Sequence, residues 1–110
     1  MQDQIKELKQ LCPDIMACNE GEITYYLLRN LSLPQGCSPS TVDALLCPAE
    51  RDGYPSRLFF ATQITSKSSR NWNSQNVRIL DRNWFAFSWK LNIAGQRLAE
   101  LVANHLRALQ

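Results

Sequence analysis

Apolar residues fall along the chain in runs of strand length. The first is Ile23-Thr24-Tyr25-Tyr26-Leu27-Leu28-Arg29-Asn30-Leu31, broken by Leu33-Pro34-Gln35-Gly36. The second runs from Thr41 to Cys47 and is closed by Pro48. Arg51-Asp52-Gly53-Tyr54-Pro55 turns the chain into a third, from Arg57 to Ile64. Aromatic and β-favouring runs bounded by Gly, Pro and Asp predict an antiparallel meander. Trp84 to Trp89 predicts a fourth strand, with Trp84, Ala86 and Ser88 on one face and Phe85, Phe87 and Trp89 on the other. Val77 to Leu80 reads as a short strand or as an extended segment.

At both ends the period changes. Ile5, Leu8 and Cys12 recur at spacings of three and four and predict a helix over residues 2 to 12, stopped by Pro13. Over residues 94 to 109, Leu98, Leu101, Val102, His105, Leu106 and Leu109 form one stripe, while Gln96, Arg97, Glu100 and Arg107 face away. Asp14 to Glu22 reads as a connector, and Thr65 to Asn76 as a long polar loop. The predicted architecture is α+β: an antiparallel meander of three to four strands flanked by an N-terminal and a C-terminal helix. It occupies one domain, residues 1 to 110.

Composition narrows the function classes. Hydrophobic residues make up 45% and charged residues 20%, a folded rather than a disordered balance. A net charge of +2 and the lack of a basic run give no footprint for nucleic acid. Lys67 and Arg70, in the serine-rich loop, read as a solvated surface. No apolar stretch reaches the roughly 20 residues of a membrane span, and the N-terminus lacks a signal-like apolar segment. A cytoplasmic protein is expected, with Cys12, Cys18, Cys37 and Cys47 as reduced thiols. The cysteines contain no C-x-x-C spacing and His105 is the sole histidine, so neither metal nor cofactor is expected.

The candidate chemistry is sparse. The four glycines are scattered singly and form no phosphate loop, and no carboxylates pair at acid–base spacing. His105, inside an apolar stripe, reads as a packed side chain with one hydrogen bond. Asn30-Leu31-Ser32 matches a glycosylation acceptor by chance. Trp72, Trp84, Trp89 and Tyr54 are the candidate partner-binding residues, because large rings dominate interface hot spots. Trp72, between Asn71 and Asn73, either plugs the polar loop onto the body or is presented to a partner.

Taken in order, these motifs resemble a known family. Leu33-Pro34-Gln35-Gly36, Pro39 to Leu46, Gly53-Tyr54-Pro55 before Leu58-Phe59-Phe60, and Trp84-Phe85-Ala86-Phe87-Ser88-Trp89 before the final helix carry the likeness. They are similar to the ubiquitin-conjugating (E2) superfamily and its RWD-like relatives, above all to the prokaryotic E2-like family E. That family is found beside ubiquitin-like proteins in bacteria. The resemblance spans residues 22 to 109. It implies a UBC-like fold and partners of three kinds: an E1-like activating enzyme, a ubiquitin-like protein, or another E2-like protein.

The chain departs from the family pattern at the chemistry. Tyr54-Pro55 runs into Ser56-Arg57-Leu58 without the Pro-Pro pair, and there is no His-Pro-Asn and no cysteine after Cys47. An acyl carrier needs a thiolate and an oxyanion-stabilising group. The resemblance therefore implies a non-catalytic member of a conjugation system, of the kind that serves antiviral defence. Two alternatives stand beside it. One is an active enzyme with a displaced thiol, Cys37 or Cys47; the other is an RWD-like interaction module outside conjugation.

Overall fold

The computed structural model describes residues 2–90 and 94–110. Helix α1 (Gln2–Leu11) leads into strands β1 (Asp14–Glu20), β2 (Ile23–Ser32), β3 (Thr41–Cys47), β4 (Arg57–Phe60), β5 (Ser74–Ile79) and β6 (Arg82–Ala86). Helix α2 (Leu98–Arg107) follows. The strands form one sheet in the order β1-β2-β3-β4-β6-β5, with antiparallel neighbours throughout. Among the described residues no helix is long and apolar enough to cross a membrane.

The α+β class, both helices and the central strands follow the apolar pattern, but the sheet has six strands rather than three or four. Strand β1 occupies the expected connector. It pairs with β2 from Asp14↔Arg29 to Glu20↔Ile23 without a shift, through a two-residue turn at Gly21-Glu22. Gly21 sits at φ 63°, where glycine carries no Cβ penalty. Strand β5 covers the end of the expected polar loop. Both added strands lie at sheet edges, where solvent allows polar side chains and the apolar signal fades. The third run ends at Phe60 rather than Ile64, and the fourth at Ala86 rather than Trp89.

The central strands are buried on both faces. Tyr25 to Leu28, Ala44 to Cys47 and Arg57 to Phe60 are buried at every position. A sheet with one wet face shows alternation; a continuous buried run requires cover on both sides. On the first face, Tyr26, Leu28, Ala44, Leu46, Leu58 and Phe60 pack with Leu8 of α1 and Leu98, Leu101 and Val102 of α2. Gln4 Oε1 of α1 accepts a hydrogen bond from the Leu98 amide at 2.9 Å, satisfying an open donor at the α2 N-terminus. Arg97 of the same terminus pairs with Glu7 at 2.8 Å, fixing the helices side by side.

The second face is closed by the sheet itself. Strand β6 meets β4 at Phe60↔Phe85 alone, so the β5–β6 hairpin is free to bend over the opposite side. There Ile79, Trp84 and Ala86 join Tyr25, Leu27, Leu45, Cys47 and Phe59 in a second core. The hairpin tip is tied down at two points. The Leu80 amide donates to Glu20 Oε1 at 2.9 Å, and Arg82 meets Asp43 at 3.3 Å. Trp84 fills the centre with no exposure and donates Nε1–H to Ile79 O at 2.9 Å.

Trp84→Ala should cost roughly 3–5 kcal/mol, the range for emptying a large buried aromatic site. Urea unfolding would show this as a fall in midpoint without a change in slope.

Candidate functional site

The β3–β4 turn builds a polar platform. Arg51 and Tyr54 exchange backbone hydrogen bonds, 2.9 Å each way, around Asp52 at φ 55° and Gly53 at φ 85°. Two positive φ values make the tight hairpin turn that Asp-Gly favours. The turn delivers a half-buried Tyr54 onto two other segments. Its hydroxyl donates to Ser88 Oγ at 3.0 Å and accepts from Asn73 Nδ2 at 2.8 Å.

Beneath the ring lies Arg57, only 2% exposed, with its guanidinium carbon 4.1 Å from the ring centroid. Its Nη1 donates to Ser74 Oγ at 2.9 Å, and its Nη2 to Asn73 Oδ1 at 2.9 Å and to Phe87 O at 3.0 Å. All three acceptors are neutral, and Arg57 forms no ion pair with a described carboxylate. Burial pulls its pKa down, yet a guanidinium stays protonated in a folded protein. A buried cation held by dipoles alone projects positive potential onto the surface above it. Lys90 Nζ, 5.8 Å from the Tyr54 centroid, adds a second positive charge.

Tyr54 responds to this frame. Its pKa lies below the ordinary phenol value, chiefly through the Ser88 hydrogen bond; burial opposes this, and Asn73, Arg57 and Lys90 add to the lowering. Ser88 can turn its hydroxyl to donate to the phenolate, as Asn73 Nδ2 already does. The platform thus holds a polarised phenol whose one proton is given to Ser88 and whose ring is the part left to meet a partner.

A second polar pair lies wholly inside. Ser56 Oγ sits 3.2 Å from His105 Nε2 and donates to Cys47 O at 3.0 Å. The hydroxyl has one proton, and the carbonyl takes it, so the imidazole must donate Nε2–H to Ser56. This is opposite in sense to a histidine activating a serine nucleophile. Both residues are buried, at 0% and 2% exposure. The pair is a clamp joining α2 to the β3–β4 hairpin, and it is the single hydrogen bond expected of a packed histidine.

The remaining candidates divide by burial. Trp84 is core and presents nothing to a partner. Trp72 is half-buried and plugs the polar loop, its ring edge-on to Phe60 at 5.8 Å and to Phe87 at 5.2 Å. Trp89 packs against the first core beneath Arg70. Cys47 is fully buried, its thiol pushed up by desolvation and donated to Ala49 O at 3.3 Å. Cys37 is half-buried near Leu109 O at 3.9 Å; burial raises its pKa more than Lys67 lowers it. Of the candidates, Tyr54 alone sits in a polar cluster at the surface. Asn73 is one of three loop asparagines that the sequence offers as possible hydrogen-bond donors, whereas nothing in the pattern marks Ser88 as a site residue; an arginine opening the apolar run Arg57-Leu58-Phe59-Phe60 is a visible signal.

No family model matches the chain. No curated protein or solved structure matches it closely enough to carry a comparison. Among the described residues there is also no group of three or more His, Cys, Asp and Glu side chains placed to hold a metal ion.

Two titrations test this geometry. His105, almost fully desolvated and facing Arg57, has its pKa lowered from 6.5 to about 4. Above pH 6.5 the imidazole is neutral in both folded and unfolded chains, and stability is at its plateau. Between 6.5 and about 4 the unfolded chain binds a proton that the folded one refuses, so stability falls by roughly 3 kcal/mol over that window. His105→Gln, which keeps a donor but cannot titrate, should flatten this limb in denaturation measured against pH.

For the platform, phenolate absorbance followed against pH should show a tyrosine ionising early. Tyr54→Phe should remove that step and leave the late step of the desolvated Tyr25 unchanged.

Proposed function

We propose that this chain is a binding protein and not an acyl carrier: an E2-like domain without its carrier thiol. In this reading it serves a bacterial ubiquitin-like conjugation system of the antiviral kind. There it holds an E1-like enzyme, a ubiquitin-like protein or an active E2-like partner. The pathway comes from the motif resemblance; the helix–antiparallel sheet–helix order is compatible with it. The observation that carries the non-catalytic part is the state of the thiols. Cys12 and Cys47 are buried and hydrogen-bonded to carbonyls, and burial pushes Cys12, Cys37 and Cys47 above the ordinary thiol value. A thioester acceptor needs an accessible thiolate, and none of these three supplies one.

The contact surface in this reading is the Tyr54 platform. A ring of large area, locked by hydrogen bonds and lying on a cation, loses little entropy on binding.

Mixing the protein with its neighbouring ubiquitin-like protein, E1-like enzyme and ATP should give co-purification but no reductant-sensitive band on this chain. Tyr54→Ala should weaken capture by about tenfold, as loss of a hot-spot ring does. A thioester adduct abolished by Cys37→Ser or Cys47→Ser would overturn the reading in favour of a displaced-thiol enzyme.

A further inference from the structure

The long polar loop shapes an open surface cavity of about 220 Å³, lined among others by Thr65, Ser66, Ser68, Ser69, Arg70 and Trp72. The loop is held in place rather than hanging free. Ser38 and Thr65 exchange backbone hydrogen bonds at 2.8 and 2.9 Å, and Trp72 anchors the far end in the first core. No acidic side chain lines the cavity.

Its donors and acceptors do not balance. Arg70 Nε is buried with no hydrogen-bond partner, and the Arg70 guanidinium lies 5.2 Å over the ring of Trp89, which is behind the lining and whose Nε1 is likewise unpartnered. Arg70 makes neither a hydrogen bond nor an ion pair with any described residue. Ser66 and Ser68 donate their hydroxyls to backbone carbonyls, of Ser68 and Gln110. The hydroxyls of Thr65 and Ser69 have no described partner. A concave site that holds a cation and unpartnered hydroxyls, with no acidic side chain among its described lining, favours a ligand that accepts. Arg70 as a whole is half-buried, and its Nε alone is fully covered.

We propose that the cavity is a binding site for a small oxyanion, a carboxylate or a phosphoryl group, with Arg70 as its cation and Thr65 and Ser69 as hydroxyl donors. The volume suits the anionic head of a larger molecule. Tyr54, Asn73 and Ser88 are not among the lining residues, and the proposal does not rest on the binding function given above.

The test is a titration followed by side-chain N–H resonances of ¹⁵N-labelled protein, with sodium acetate, sodium phosphate and, at matched ionic strength, sodium chloride. Acetate or phosphate should move the Arg70 Nε–H and Trp89 Nε1–H signals saturably at about millimolar concentration, and chloride should not. Arg70→Gln should weaken that binding about tenfold, as loss of a charge-assisted partner does. Ser69→Ala, which leaves the Arg70–Trp89 stack in place, should weaken it by roughly threefold and serves if the first variant does not fold. Tighter phosphate than acetate assigns a phosphoryl ligand. Tighter acetate, with a short peptide binding by its free but not its amidated C-terminus, assigns a chain-terminal carboxylate. Shifts that chloride reproduces, that never saturate, or that survive both substitutions would overturn the site and leave a water-filled pocket.

Discussion

The structure depends on one constraint: three adjacent strands carry apolar side chains on both of their faces. Tyr25 to Leu28, Ala44 to Cys47 and Phe59 to Phe60 cannot be dried by two helices, because helices packed against one face leave the other in water. At roughly 25 cal/mol per Å² of apolar surface, leaving Tyr25, Leu27, Leu45 and Phe59 wet would forfeit several kcal/mol, comparable to the whole stability of a small domain. The chain meets this demand with its own sheet. Strands β5 and β6 join the far side of β4, diverge after one paired position, and curl across the second face with Trp84 as the filler.

That curl determines where function can lie. The hairpin pairs with β4 only at Phe60, the last residue of that strand, while residues 73–74 and 87 gather at Arg57, its first. Arg57 stands at the junction, buried, and is shared among Asn73, Ser74 and Phe87. Desolvating a guanidinium is costly, and the Tyr54 and Phe59 rings, at 4.1 and 5.6 Å, offset part of the cost through their negative faces. The Tyr54 platform is thus the outer end of a structural junction. Its positive frame is a by-product of how the second core is closed, which is why it is rigid.

Legibility from sequence followed burial. Strand β3 was readable to the residue, Thr41 to Cys47, because Asp43 is the sole polar interruption and Pro48 ends it. The face alternation of the last aromatic run also holds: Trp84 and Ala86 lie in the second core, Phe87 and Trp89 against the first. It persists beyond the strand's end at Ala86. The two-sided core was present in the pattern too, as four-residue runs without alternation, but such a run does not say what covers it. Strand β1, and β5 ahead of Val77, were illegible for the opposite reason. Their outward positions, Asp14, Asn19, Gln75 and Asn76 among them, meet solvent, so only pairing partners distant in sequence define them. The site was half legible. A Tyr-Pro turn invites attention, whereas Asn73 and Ser88 acquire meaning only when folding sets them around one hydroxyl.

The thiols show what the same physics asks of a cysteine in each setting. A cysteine that transfers acyl groups must lose its proton easily, which asks for exposure, a nearby positive group, and an S–H not committed elsewhere. Cys12 spends its S–H on Arg29 O at 3.0 Å and Cys47 on Ala49 O at 3.3 Å. Each sits in a different core, sealed on all sides, where a small polarisable side chain fits and a charge does not. Arg57 contributes a field that favours the Cys47 thiolate, but the same burial that confines the guanidinium also confines the sulfur, and desolvation is the larger effect. Exposing Cys47 would mean lifting the β5–β6 hairpin off the second face and losing the Trp84 contacts with it. A thiol reachable only by dismantling the core that the fold exists to make is a packing residue.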